Sequence, residues 1–236
     1  MSSAPPVSQY GFLLQNGTRI VHGASAPPRD AFPPALNIPG RLQTLSSDNA
    51  NDPSTPCFCG PQGLLPFDTQ TRMPRHVHMA PVEAANDPSR LRYVVEKIMV
   101  MEGVARAELG GELYVVPPHT LVVIGAGVPH AWTACPSGVD FRQLGFFSTA
   151  KKEEDDEEEE EAMVISRGKF VAVFEYEVPT AFFPTRQTQT LTTQEEYVPC
   201  DDLQEIRIPA LTVEEVMARA WFVWGGEARK LSSVAV

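Results

Sequence analysis

The sequence predicts an all-β fold of many short strands, and three observations carry that prediction. The chain holds 22 prolines in 236 residues; proline fixes φ, lacks a backbone donor and favours loops, turns and sheet edges over long helices. From Gly63 onward, short β-branched and aromatic runs recur between Gly- and Pro-containing turns, the spacing of a sandwich or barrel. Two dipeptides, Asn16-Gly17 and Gly110-Gly111, each separate apolar runs and read as hairpin turns. A chain of this length fits one large all-β domain or two small ones and can bury a sizeable core.

Taken in order, residues 1–60 read as an N-terminal arm. It is rich in Pro, Ser, Asn and Asp, with a hairpin turning at Asn16-Gly17 and then a long loop or neighbour-packing segment. Within that loop, residues 31–36 (AFPPAL) form an apolar anchor. Residues 61–200 read as the barrel. Its expected strands cover residues 91–101, 104–109, 112–116, 121–124, 141–147 and 169–178, and in the last of these Phe170, Ala172, Phe174 and Tyr176 share one face. Residues 148–163 are expected to be a disordered acidic loop, because nine consecutive acids from Glu153 to Glu161 repel one another. Residues 201–236 read as a helix and tail. Thr212-Val213-Glu214-Glu215 is a capping box. Val213, Val216, Met217, Ala220, Trp221 and Trp224 make one helical stripe, Gly225-Gly226 stops it, and 227–236 is the tail.

Composition narrows the function. The net charge is −11, and the acidic run with Lys151 and Lys152 carries most of it. No basic patch is present, so nucleic acid is not expected as a partner. No apolar run approaches the roughly 20 residues that span a bilayer. The first residues lack the basic start and apolar middle of a secretory signal, so a cytoplasmic location is expected. Of the four cysteines, Cys57 and Cys59 stand as C-x-C, not C-x-x-C, and with Cys135 and Cys200 they read as structural thiols.

Chemistry concentrates in the five histidines. His76 and His78 stand one residue apart, and in a strand side chains at i and i+2 share a face. Two imidazoles side by side are half of a metal site. His130 follows a buried-type strand and a glycine turn and is expected to open the next strand. Two carboxylates compete for the remaining place. Glu96 lies in an apolar strand on the face of Val94, Ile98 and Val100, where an ionised group is costly unless paired or bound to a metal. Glu83 lies in a loop-like segment. Three imidazoles and one carboxylate suit Fe, Mn, Ni, Cu or Zn. The absence of thiolates argues against a closed structural zinc site.

These residues resemble the cupin superfamily. His76-x-His78 followed by Glu96-x6-Gly103 matches the family's H-x-H…E-x6-G motif, and Gly127-x2-His130 matches the end of its G-x5-P-x-G-x2-H motif. The sequence departs from the family in two places, the first spacer and the second motif. The spacer before Glu96 is 17 residues long, Glu83 stands at the usual H-x-H-x4-E distance, and His119 and Gly125 replace the second motif's first Gly and its Pro. The likeness covers about residues 65–150, with 169–178 completing the barrel. It implies a double-stranded β-helix (jelly-roll) barrel with an N-terminal arm and a C-terminal amphipathic helix. It implies one divalent transition metal held by His76, His78, Glu96 and His130, with Glu83 as the alternative carboxylate, and catalytic roles for Glu96 and His130. The pocket would be lined by Met79, Trp132, Phe141, Phe182 and Phe183. The implied activity is that of a dioxygenase or other oxidoreductase acting on a small aromatic or polyketide-like metabolite. A redox-neutral isomerase or cyclase of secondary metabolism, or a non-catalytic binding protein, stays open beside it. Family habit also implies a homodimer paired through the arm and edge strands.

Overall fold

The computed structural model describes residues 7–8, 11–25, 28–30, 41–43, 60–82, 89–146 and 165–231. Glu83, Cys57, Cys59, the anchor at 31–36 and the acidic run lie outside the described residues. The first strands are β1 (Val7–Ser8), β2 (Gly11–Leu13), β3 (Arg19–His22), β4 (Pro28–Asp30), β5 (Arg41–Gln43) and β6 (Gln62–Asp68). Next come β7 (His76–Pro81), β8 (Leu91–Tyr93), β9 (Glu96–Gly103), β10 (Ala105–Leu109), β11 (Glu112–Val116) and β12 (Thr120–Ile124). The last are β13 (His130–Ala134), β14 (Lys169–Tyr176), β15 (Ala181–Pro184), β16 (Trp221–Trp224) and β17 (Glu227–Arg229). One helix, α1 (Val213–Arg219), lies between β15 and β16. The protein is all-β, and no described helix is long and apolar enough to cross a membrane.

The strands form two large sheets. One runs β1-β2-β3-β12-β9-β14-β6; the other runs β15-β7-β13-β10-β11-β16-β17, with β8 on β7, while β4 and β5 pair separately. The main core lies between them. Ile98, Val100, Val122 and Phe170 from the first sheet meet Ala107, Leu109, Tyr114 and Trp132 from the second. The second sheet has another core on its far face, where Leu113, Val115, Ala131 and Cys135 meet Phe141, Leu144, Ile208, Val216 and Phe222. Being covered on both sides, β10 and β13 are buried at every residue.

The expected hairpins form at both turns, joining β2 to β3 and β10 to β11. Three local expectations change. The run at 91–101 is not one strand: β8 pairs with β7 in one sheet and β9 with β12 and β14 in the other, so the chain crosses between layers at Val94 and Val95. Residues 141–144 form a 3-10 turn rather than a strand. Asp140 caps its start by accepting from the Arg142 N–H, and Gly145 ends it in left-handed backbone. The capping box at Thr212 and Glu215 is present, but the helix stops at Arg219, Ala220 is extended, and residues 221–224 run parallel to β11.

The apparent helical stripe through Trp224 has a different cause. Trp221 and Val223 join the inner core, while Phe222 is buried in the outer one and Trp224 packs against it. A strand between two cores needs apolar residues on both faces, and such a run cannot be told from a helix end by spacing alone. Gly225-Gly226 is therefore a hairpin turn into β17, within the segment expected to be a tail.

His22 ties the two ends of the described chain together. Its Nδ1 accepts from the Gly225 N–H at 2.8 Å, and its ring lies 4.5 Å from that of Trp224. Burial, with His119 adding to it, lowers its pKa to about 4. The folded state therefore binds this proton less readily than the unfolded chain. The stabilisation is complete above the unfolded value near 6.5 and is lost as pH falls towards 4, amounting to at most about 3 kcal/mol. Urea denaturation at pH 7 and pH 4.5 should show a smaller acid loss in His22→Gln than in the wild type; equal losses would exclude His22 as the acid-sensitive group.

Candidate metal centre

Four side chains from three strands meet between the sheets. His76 and His78 project from the same face of β7. His130 opens β13 directly opposite His76. Glu96 opens β9 on the facing sheet, in register with Ile124 on one side and Tyr176 on the other. The structure thus brings together the four residues singled out in the sequence. All are buried, and one ligand atom from each lies within 4.8 Å of the others.

The backbone decides which ring nitrogens face inward. His76 Nδ1 donates to the Pro74 carbonyl at 2.9 Å and His130 Nδ1 donates to the Val128 carbonyl at 2.9 Å, each two residues back along the chain. His78 Nδ1 donates to the Ala181 carbonyl at 3.2 Å on β15. A carbonyl can only accept, so each Nδ1 carries the proton and each neutral ring turns an Nε2 lone pair inward. His76 Nε2 lies 3.1 Å from His78 Nε2. Glu96 Oε2 lies 2.9 Å from His130 Nε2 and 3.4 Å from His78 Nε2.

With the rings neutral, three Nε2 lone pairs and a carboxylate oxygen converge; only a ring that takes up a second proton can donate from Nε2 to Glu96. Burial lowers the His76 pKa well below its ordinary value, His130 and His78 add to this, and Glu96 opposes it. Burial alone would raise the Glu96 pKa, but the imidazoles of His130 and His78 outweigh it and hold the carboxyl well below the usual range. A proton on one ring, or a metal ion among the four, supplies the positive charge that this set of acceptors lacks. Outer partners of the Nδ1–H···O=C kind are the usual means of orienting ligand histidines. The donor set fits a divalent transition metal.

No protein-family model matches the chain, and no curated protein matches it. The reading of this centre therefore rests on its own geometry.

Tyr176 belongs to the centre and was not among the expected site residues. Its ring lies 4.7 Å from that of His78. Burial and then the Glu96 carboxylate, on which its hydroxyl bears, push the phenol well above its ordinary pKa, so it stays protonated. Its signal in the sequence was its place on the inward face of β14. Of the expected pocket residues, Phe182 lies against the centre: its ring stacks on His76 at 4.1 Å and is 43% exposed. Trp132 follows His130 on the inner face of β13. Met79 packs with Val77, Tyr93 and Leu191 on the opposite face of β7, with Phe183 against them. Phe141 lies in the outer core against Phe222. Glu83, the alternative carboxylate, is outside the described residues.

Backbone makes strict demands next to the centre at Gly127, and at the far ends of β9 and β12 at Gly103 and His119. Gly103 and Gly127 adopt left-handed φ of 71° and 74°, and His119 adopts 59°, the one non-glycine with positive φ among the described residues. An L-residue pays about 1–2 kcal/mol for that conformation. Because His119 is exposed, its replacement by glycine should leave stability unchanged or raise it by up to about 1 kcal/mol, glycine's greater unfolded-state freedom offsetting part of the relief. His119→Val should lose about 1 kcal/mol or more. Thermal denaturation of the two variants checks this, and a large loss in His119→Gly would show that the imidazole itself is needed.

Proposed function

We propose that this chain is a metal-dependent enzyme of the cupin type that acts on a small aromatic or polyketide-like molecule, as a dioxygenase. The observation that carries the reading is the convergence of three backbone-anchored Nε2 atoms and one buried carboxylate oxygen on one point.

Two further features support the cupin likeness. β6, β9, β12 and β14 alternate between the sheets with β7, β10, β11 and β13, the distribution expected of eight strands wound as a jelly roll. The three positions where the family motifs place glycine, 103, 119 and 127, all take left-handed backbone, so the turn at His119 keeps the shape although it has lost the residue.

A divalent ion held by His76, His78, Glu96 and His130 would supply Lewis acidity to an enol or phenol oxygen of the substrate. The chain's own residues then have separate tasks. Phe182 offers a partly exposed aromatic face beside His76 for a flat substrate. Glu96, held ionised, is a proton acceptor, and Tyr176 is a protonated donor placed on it. The burial of all four side chains keeps bulk water from them.

That same pair favours a second reading, a redox-neutral isomerase or cyclase, because a carboxylate acceptor beside a phenol donor is general acid–base machinery. Elemental analysis of purified protein, followed by O2 uptake with phenolic and enolic substrates, tests both. O2 uptake coupled to substrate loss supports the dioxygenase. Substrate conversion without O2 uptake supports the isomerase or cyclase. Protein that binds no divalent metal on reconstitution removes both readings.

A further inference from the structure

A second polar site lies away from the histidines, and the proposed reaction does not use it. A cavity of about 490 Å³ opens where β6 ends, β13 ends and β14 begins; Asp68, Arg106, Ala134, Ser137, Arg167 and Lys169 are among its walls. Lys169 and Tyr176 are the two ends of β14, so at about 3.4 Å per residue the cavity is roughly 24 Å along the strand from the metal centre.

Its central feature is Arg106. The residue is 2% exposed, and its Nη2 donates to the Pro209 carbonyl, but its Nε and Nη1 have no hydrogen-bond partner. Thr133, opposite it on β13, also has a buried and unpartnered hydroxyl. The nearby carboxylates are occupied. Glu108 pairs with Arg75. Asp68 accepts from the N–H groups of Gln70 and Thr71 and from the Thr71 hydroxyl, at 2.9–3.0 Å. Arg167 and Lys169 add two exposed cations at the rim. A buried guanidinium with free donors is costly unless an anion meets it. Burial also pulls its pKa down, Cys135 opposes this, and Arg219 and Arg72 add to the lowering, so the local field is one that an anion would relieve.

We propose that this cavity is a second ligand site, for a small organic anion whose carboxylate or phosphate group is held by Arg106, Arg167 and Lys169. Arginine and lysine suit both groups. The volume exceeds that of a bare oxyanion, leaving room for a short carbon skeleton.

Calorimetric titration of the full chain with inorganic phosphate, and separately with succinate, at constant ionic strength in chloride tests this and tells the two anion classes apart. At least one should bind the wild type. Arg167→Gln and Lys169→Gln should each weaken it several-fold, and Arg106→Met by about tenfold or more, the usual effect of losing a charge-assisted contact. Metal content should not change in any of them. Arg106→Met should melt at or above the wild-type temperature without anion, since it removes a buried charge whose Nε and Nη1 have no partner at the loss of one bond to the Pro209 carbonyl; a lower melting temperature would show that Arg106 is structural and overturn its part in the site. If Arg106→Met does not fold, the two rim variants decide. The proposal is overturned if neither anion binds the wild type, or if both rim variants bind as tightly as it does.

Discussion

His76→Ala and His130→Ala should each retain less than about a tenth of the metal that the wild type carries after identical preparation. Losing a ligand costs more than the 10–100-fold that follows loss of an outer partner. Each change also leaves the other imidazoles in place, so the effect reads the ligand set and not the fold. Without metal, His76→Ala should melt close to the stripped wild type, because His76 Nε2 sits 3.1 Å from His78 Nε2 and, with both Nδ1 atoms holding a proton, removing one lone pair relieves that opposition. The wild type alone should gain thermal stability on metal addition and lose it to a chelator, by mass action on the folded state. Proton competition at Nε2 should release metal as pH falls. Elemental analysis and melting curves with and without chelator measure all of this. If both alanine variants kept full metal, the four-residue centre would be wrong. If the wild type were indifferent to metal and chelator, the cluster would be a plain buried ion pair of His130 and Glu96.

Gly127→Ala should destabilise the protein by about 3 kcal/mol or more and displace His130. Two effects add. The backbone at 127 is left-handed, which costs an L-residue about 1–2 kcal/mol. A Cβ there would stand 1.9 Å from the Leu191 carbonyl oxygen, against backbone that cannot swing aside. The Gly127 carbonyl also accepts from the Leu191 N–H at 2.9 Å, fixing the loop that leads into β13. Gly17→Ala is the control: φ is again left-handed, at 85°, but nothing lies within 4 Å of the added carbon, so only the backbone cost of about 1 kcal/mol should appear. Urea denaturation of the two variants separates clash from conformation. Similar losses in both would mean that the Leu191 contact yields easily.

The four members of the centre were legible because each breaks a local rule. His76 and His78 share a strand face, Glu96 is a carboxylate in an apolar run, and His130 follows a glycine turn. Polar side chains in such places ask for a common partner. Tyr176 was not legible as a site residue, since an inward-facing tyrosine in a strand is also ordinary core. The crossing at Val94 and Val95 was hidden because both halves of the run are apolar and β-branched, and only the pairing partners divide them. Residues 221–224 misled for a related reason: their apolar faces answer to two cores, and pairing with β11, more than 100 residues earlier in the chain, outweighs the local spacing. Phe141 was placed in the pocket by its aromaticity, but the Asp140 cap and Gly145 turn it into the outer core.

That late pairing has a consequence for how the chain is made. All four residues of the candidate centre and both strands flanking Glu96 leave the ribosome before β16 exists. Until residues 221–224 arrive, β11 presents an open edge of donors and acceptors, the kind of edge that templates wrong pairings. The closing strand is thus a guard as well as a part of the sheet. A chain cut after Arg219 would keep its histidines yet expose that edge permanently, and light scattering should find it forming larger, heterogeneous assemblies than the full chain does.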